Sequence, residues 1–144
     1  MPNTVIIGSG SFVPENIIDG KIKIFNKHEY FMDADFYDDN QQKIEKANDE
    51  VIHKFVEITE IEHRRYADAV DLNSDIATKA AAAALSDAGI DGEKLDYIIS
   101  ATNFGDVDAN GQQSFMPSLS ALVKHKLGIE NPHCINYDMI FGCP

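Results

Sequence analysis

The sequence is poor in cysteine and in positive charge, and it has no long hydrophobic run. Its two cysteines, Cys134 and Cys143, flank a predicted strand, so we expect neither a disulfide between them nor a metal site. Only 12 basic residues stand against 24 acidic ones, and the net charge of -12 argues against nucleic acid or an anionic membrane as partner. The hydrophobic runs are too short for a transmembrane span or a cleavable signal peptide. With 44% hydrophobic residues, the composition predicts a soluble, globular, cytoplasmic protein.

The glycine-rich turn near the start of the chain lacks a third glycine. Gly8 and Gly10 follow a predicted buried strand over residues 4–7, but a dinucleotide-binding fingerprint requires a third glycine. Pro14 also interrupts any helix that would receive a pyrophosphate. We therefore reject a nucleotide-binding role, and no cofactor is predicted.

Helical and strand patterns alternate along the rest of the chain. Apolar residues three and four apart predict one helix face between Lys43 and Ile58. The nearly continuous apolar run over residues 95–102 predicts an interior strand of a parallel sheet. Together these patterns predict an α/β layered fold without an internal repeat. The remaining predicted elements are a helix that Asn73 or Ser74 caps and Gly89 ends, a helix from Pro117 to Leu127 closed by Gly128, and a strand over residues 134–137.

Cys143 is the candidate nucleophile. It follows the last predicted strand after a small residue, Gly142. A strand that turns sharply into a helix can place a cysteine at the helix N-terminus, where unpaired N–H groups and the macrodipole favour the thiolate. The same N–H groups can hold an oxyanion, and Pro144 suits a first helical turn because its missing N–H would be unpaired there. The alternative is a buried free cysteine that acts as a small hydrophobic residue.

Three separated segments resemble one family in the correct order. They cover nearly the whole chain, and the middle segment is the most specific. The segments are residues 6–15; residues 58–66 with Asp75, the alanine-rich stretch, 87–90 and 95–102; and Met116 to Ser118 with 127–129 and the spacing from Asp138 to Cys143. In this order they resemble β-ketoacyl-acyl-carrier-protein synthase III, the initiating condensing enzymes of the thiolase fold.

The resemblance implies a thiolase-like layered fold, of which residues 1–144 would form a partial N-terminal domain. A mixed sheet packed by helices is expected, with the C-terminal half absent. It further implies that Cys143 attacks an acyl thioester of coenzyme A or acyl carrier protein. A malonyl-acyl-carrier-protein then loses carbon dioxide, and the resulting carbanion attacks the acyl group, in fatty acid or related biosynthesis. The histidine and asparagine that assist decarboxylation would belong to the missing half, so the chain alone is expected to be inactive. The parent enzyme would be a homodimer.

The resemblance also assigns an acyl pocket. Met116 occupies the place where family members insert a bulky side chain into the acyl pocket of the partner subunit. Asn103, Phe104 and Gly105 are candidates for lining the dimer-side pocket. The alternative for Met116 is a core methionine beside a helix start.

Several positions depart from the family. Lys54 and Ile58 stand where a tryptophan and an arginine usually grip coenzyme A, and the acidic stretch over residues 33–40 has no counterpart. The net charge of -12 also argues against the docking of an acidic carrier protein on this part. Three alternatives therefore stay open: a specialised ketosynthase of secondary metabolism, an enzyme similar to hydroxymethylglutaryl-coenzyme A synthase, and a non-catalytic interaction subunit of a split synthase. A chain of this length would leave a large apolar surface exposed to water.

Overall fold

The computed structural model describes residues 3–14, 17–18, 21–22, 35–60, 67–68, 70–108 and 110–140. Contacts between residues divide the chain into two units, one of Pro14–Asp68 and one of Met1–Val13 with Ala69–Pro144. None of the helices in the described ranges is long and apolar enough to cross a membrane. In chain order the elements are β1 (Ile17–Ile18), β2 (Lys21–Ile22), α1 (Asn48–Thr59), α2 (Asn73–Ala88), a 3₁₀ turn (Gly92–Lys94), β3 (Tyr97–Thr102), β4 (Asp106–Val107), β5 (Gln113–Ser114), α3 (Leu119–Lys126) and β6 (Ile135–Ile140).

The larger unit contains a parallel strand pair. β3 pairs with β6 in a register that sets Tyr97 opposite Ile135 and Thr102 opposite Ile140. Parallel neighbours require a crossover connection, and here α3 lies between the two strands in the chain and packs against both. The buried apolar side chains of this unit gather around α3: Leu119, Val123, Ile129 and Cys134. The predicted parallel strand and the helix after it are thus confirmed.

One face of this strand pair is exposed. We call it the open sheet face, and it consists of Tyr97, Ile99, Ala101, Ile135, Tyr137 and Met139. Its large side chains are 47–64% exposed, and the rings of the two tyrosines stack at 6.0 Å. The sequence pattern of β3 predicts burial on both faces, whereas in the described residues only the face toward α3 is covered.

The predicted buried strand over residues 4–7 is wrong. These residues form no regular structure, and Val5, Ile6 and Ile7 are 70%, 92% and 62% exposed. A strand requires a neighbour for its backbone hydrogen bonds, and no strand in the described ranges pairs with this segment. Branched side chains alone therefore do not make this segment a strand.

The glycine-rich turn instead packs against α2. A Cβ added to Gly8 would lie 2.6 Å from Cβ of Ala88, and one added to Gly10 would overlap the backbone of Ala80 and Ala84. The Ser9 N–H also donates to Asp87 at 2.9 Å. Both glycines allow close packing on the alanine-rich face of the helix.

In the smaller unit, the helix begins later in the sequence than predicted. α1 begins at Asn48 rather than Lys43, because the residues before it form a turn closed by a bridge between Tyr37 and Lys43. The Asp38 carboxylate accepts the N–H groups of Asn40 and Gln42, which gives part of the acidic stretch a role in this turn. Residues 33–34 of that stretch lie outside the described residues. Phe36 packs edge-on against Phe55 of α1, with ring centroids 5.8 Å apart.

Candidate functional site

The predicted nucleophile Cys143, like Gly142 and Pro144, lies outside the described residues. The last described residue is Ile140, which ends β6 three positions earlier. The described part of the candidate site therefore consists of β6, which precedes the cysteine in the sequence, and of the loops at the same end of the sheet.

Asp138 ties this strand to the N-terminus of α3. Its carboxylate accepts the N–H of Leu119 at 2.5 Å and that of Ser120 at 2.8 Å. The first N–H groups of a helix have no partner within the helix. The third one, of Ala121, donates to the side chain of Ser118 at 3.3 Å. Asp138 and Ser118 together therefore satisfy the first turn of α3.

Asp106 makes the equivalent contact at the N-terminus of α2. Its carboxylate accepts the N–H and the hydroxyl of Ser74, both at 2.7 Å. Ser74 is fully buried and Asp106 is 8% exposed. Asn73 adds a hydrogen bond to the carbonyl of Gly105 at 3.0 Å, which ties the loop after β3 to the same helix end. The predicted caps, Asn73 and Ser74, thus lie inside α2, and Asp106 supplies the side-chain acceptor from another element.

The ammonium group of Lys126, in the last turn of α3, also contacts the start of α2. It donates to the Ser74 hydroxyl and to the Asp75 carboxylate, both at 2.6 Å. This hydrogen bond from Lys126, together with the backbone N–H of Leu72, holds the pKa of Asp75 below its ordinary value. The start of α2 and the end of α3 are therefore joined by a charged contact.

Of the predicted acyl-pocket residues, Gly105 and Met116 both contact Ser114 of the β4–β5 hairpin. The Thr102 hydroxyl accepts the N–H groups of Phe104 and Gly105 at 3.3 and 3.2 Å, which shapes the loop after β3. A Cβ on Gly105 would overlap the carbonyl oxygen of Ser114, so this loop lies directly against β5. The Ser114 hydroxyl in turn donates to the carbonyl of Met116 at 3.0 Å.

Two of the four residues in this group have accessible side chains. Phe104 is 55% exposed and Met116 is 82% exposed, whereas Asn103 is half-buried and Gly105 is buried. Met116 therefore does not act as a core methionine within the described residues. The assignment of these four residues to an acyl pocket stays a prediction.

Lys54 and Ile58 lie on α1, beside a groove of about 560 Å³ that Val51 and Phe55 also line. Lys54 donates to Glu57 at 2.9 Å, and this hydrogen bond holds the pKa of Glu57 below its usual range. The Ile58 side chain is 70% exposed. The lysine charge is thus met by a neighbouring carboxylate on the same helix.

Sequence reasoning missed the capping roles of Asp106 and Asp138. Asp138 entered only through its spacing to Cys143. A carboxylate inside the otherwise uncharged strand Ile135–Ile140 was a usable signal, because such a group requires a hydrogen-bonding partner. The partner itself could not be found, since it lies 18 residues away on another element.

No protein-family model matches the chain. Among curated proteins, β-ketoacyl-[acyl-carrier-protein] synthase III of Clostridium acetobutylicum is 31% identical over 144 residues, covering 99% of the chain and 34% of that protein. Its counterpart in Ehrlichia canis is 30% identical over 131 residues, covering 91% and 32%. The resemblance to synthase III is confirmed. The chain spans about a third of the length of these synthase III relatives.

Solved structures give the same fold. The 3-oxoacyl-[acyl-carrier-protein] synthase III of Aquifex aeolicus superposes with a TM-score of 0.59 at 24% identity, over 93% of the chain and 34% of that protein. A variant of OleA from Xanthomonas campestris gives 0.51 at 29% identity, over 67% and 24%. The predicted thiolase-like α/β fold, present here in part, is confirmed. The chain is related to thiolase-fold condensing enzymes.

Proposed function

We propose that residues 1–144 form part of the N-terminal thiolase-like domain of a condensing enzyme and carry its nucleophile, Cys143. The observation that carries the proposal is the likeness to synthase III over 99% of the chain. The spacing from Asp138 to Cys143, which the family resemblance includes, falls within that likeness. The anchored strand β6 supports it, because the strand leads directly to the cysteine.

The proposed reaction has two stages. The Cys143 thiolate attacks the carbonyl carbon of an acyl thioester, and the thiolate of the donor leaves, so that the acyl group is held on the cysteine. A malonyl-acyl-carrier-protein then loses carbon dioxide, and its carbanion attacks the acyl-cysteine. The β-ketoacyl thioester is released and the Cys143 thiolate is restored. The Cys143 N–H would supply one oxyanion donor.

The remaining parts of the machinery are proposed from the resemblance. The histidine and asparagine that assist decarboxylation, and a second oxyanion donor, would come from the part of the relatives that the chain does not span. Met116, Asn103, Phe104 and Gly105 would line acyl pockets of a homodimer. The exposure of Met116 and Phe104 supports this. We place the enzyme in the cytoplasm.

Intact mass before and after incubation with an acyl-coenzyme A tests the nucleophile. We expect one acyl adduct on Cys143 when a companion supplies the other half of the site, none on the Cys143→Ala variant, and none on the 144-residue chain alone, which we expect to be inactive. Cys134→Ala is the matched control, because Cys134 is a buried free thiol and should not be the acylated residue. A chain that stays unmodified although a second chain co-purifies with it would contradict the proposal and favour a non-catalytic subunit.

A specialised ketosynthase is the second candidate. It is favoured by the departures at Lys54 and Ile58 and by the structural likeness to OleA. Acylation by the same acyl group, carried either on coenzyme A or on acyl carrier protein, distinguishes synthase III from a specialised ketosynthase. Preferential acylation from the carrier protein would favour the specialised ketosynthase.

A further inference from the structure

We propose that Asn110 is a site of non-enzymatic deamidation, in which the backbone nitrogen of Gly111 attacks the side-chain amide of Asn110. Asparagine is among the thermolabile residues. The pair is the only Asn-Gly step in the sequence, and both residues are exposed. Deamidation needs no activity of Cys143, so it is independent of the proposed function.

The turn around Asn110 occurs a second time in the chain with a different following residue. Between β4 and β5, the Asp108 carboxylate accepts the N–H groups of the residues two and four positions later, at 2.8 and 2.9 Å. In the smaller unit, the Asp38 carboxylate accepts the corresponding N–H groups at 2.9 and 2.8 Å. Asn110 and Asn40 therefore hold equivalent positions, but Gly111 follows the first and Gln41 follows the second. The turn at Asp38 is thus a matched control within the chain.

The attacking nitrogen of Gly111 is accessible. A Cβ added to Gly111 would meet nothing within 4 Å, so the space beside this backbone is open to water. Gly111 has no side chain to crowd a closing ring, whereas Gln41 carries one at the equivalent position. The Gly111 N–H donates to the carbonyl of Asp108 at 2.9 Å, and this hydrogen bond has to open before the attack. It lies on an exposed turn between two-residue strands, where local opening costs little free energy.

The reaction balances with water as the co-reactant. The Gly111 nitrogen loses its proton and bonds to Cγ of Asn110, the Cγ–Nδ2 bond breaks, and the leaving nitrogen takes the proton to form ammonia. Attack within one chain is favoured by proximity. Water then opens the five-membered ring and leaves one carboxylate. Opening at the side-chain carbonyl gives aspartate, and opening at the backbone carbonyl gives isoaspartate, whose Cβ enters the main chain.

Either product would weaken the turn. The Asn110 amide nitrogen lies 3.4 Å from the Asp108 carboxylate, to which it donates. A carboxylate in its place cannot donate and is repelled by the like charge of Asp108. β4 and β5 pair through only two residues each, so their pairing depends on this turn. The change would also reach Ser114 of β5, which contacts Gly105 and Met116.

Peptide mass after incubation of the full chain at mildly alkaline pH tests the proposal, because base removes the proton of the attacking nitrogen. The expected mass change is that from an amide to a carboxylic acid. We expect it to occur at least about tenfold faster at Asn110 than at Asn40, which is about 1.4 kcal/mol in the activation barrier. The isoaspartate product is identified by its separate elution at the same mass. An unmodified Asn110, or equal rates at the two asparagines, would overturn the proposal.

Exchanging the residue after each asparagine tests the cause. Gln41→Gly should raise the rate at Asn40 about tenfold, and Gly111→Gln should lower the rate at Asn110 by about as much. The first variant decides the question if the second does not fold, because glycine adopts the left-handed conformation of Gln41 without steric cost. An unmodified Asn40 in Gln41→Gly would contradict the proposal.

The same incubation in urea separates a site of the folded chain from one of the unfolded chain. We expect Asn110 to react in both, and more slowly in the folded chain, where the hydrogen bond to Asp108 has to open first. Reaction in urea alone would mean that the closed turn protects Asn110, and the proposal would fail.

Discussion

At the scale of single residues, Gly10 has the least room for a side chain among the described glycines. A Cβ there would overlap the backbone of Ala80 and Ala84, which cannot move without distorting α2. We expect Gly10→Ala to lower the free energy of unfolding by about 1–3 kcal/mol, measured by urea denaturation. Gly92→Ala is the control, because its new Cβ would meet only side-chain atoms, those of Ile129 at 2.9 Å and of Leu85 at 3.7 Å. Equal losses in both variants would contradict this account.

A second residue-scale feature is a turn in which a left-handed residue follows an aspartate by three positions, as at Gln41 and Gly111. Gln41 has φ of 60° and Gly111 has φ of 74°, and each N–H donates at 2.9 Å to the carbonyl of the aspartate three residues before. Glycine adopts this conformation without steric cost, whereas glutamine does not. We expect Gln41→Gly to stabilise the chain, and Gly111→Ala to destabilise it, by about 1 kcal/mol each. Thermal unfolding of the two variants checks the opposite signs.

At the scale of elements, the link between α2 and α3 should depend on pH. Lys126 holds the pKa of Asp75 below its ordinary value of 3.8, so the carboxylate stabilises the fold above that pH. This contribution is lost as the pH falls from there through the lowered folded-state pKa. Asp75→Asn should therefore be less stable than the wild type at neutral pH, and the difference should shrink in acid. A difference in urea midpoint that stays constant with pH would contradict the assignment.

Elements with local signals could be predicted from the sequence. Gly89 and Gly128 end the predicted helices with φ of 63° and 72°, and the helix predicted from Pro117 begins at Leu119, with Ser118 as its cap. Errors arose where a distant partner decides the structure. Residues 4–7 have strand-forming side chains but no described strand beside them, and Ile44 donates its N–H to Phe36 instead of joining α1.

The candidate site, too, could be predicted only where its signal is local in the sequence. The order of motifs pointed to Cys143 and to the synthase III resemblance, because such spacing is a property of the sequence itself. The aspartates that hold the helix ends were not predictable. Asp106 and Ser74 lie 32 residues apart and meet only after β3 and α2 have packed.

At the scale of the whole molecule, the open sheet face is an unpaired apolar surface of the described residues. Soluble proteins rarely expose large contiguous apolar patches, and this one extends across both strands of the parallel pair. The chain also spans only about a third of the synthase III relatives. We therefore expect the isolated chain to bind a hydrophobic dye and to self-associate as its concentration rises, and a monomeric isolate that binds no dye would contradict this expectation.

Ile98 and Ile99 are adjacent and lie on opposite faces of β3, so substitutions at these two residues distinguish the open sheet face from the packed side. Ile99 belongs to the open sheet face and is 64% exposed, whereas Ile98 points to the opposite, half-buried side that α3 covers. Ile99→Lys should reduce dye binding and self-association in sedimentation while changing stability by less than about 1 kcal/mol, because its charge stays in water. Ile98→Lys should unfold the unit, since it buries an unpaired charge. If the two lysines had the same effect on stability, the sheet would not have one open and one packed face, and the assignment of α3 to a single side would fail with it.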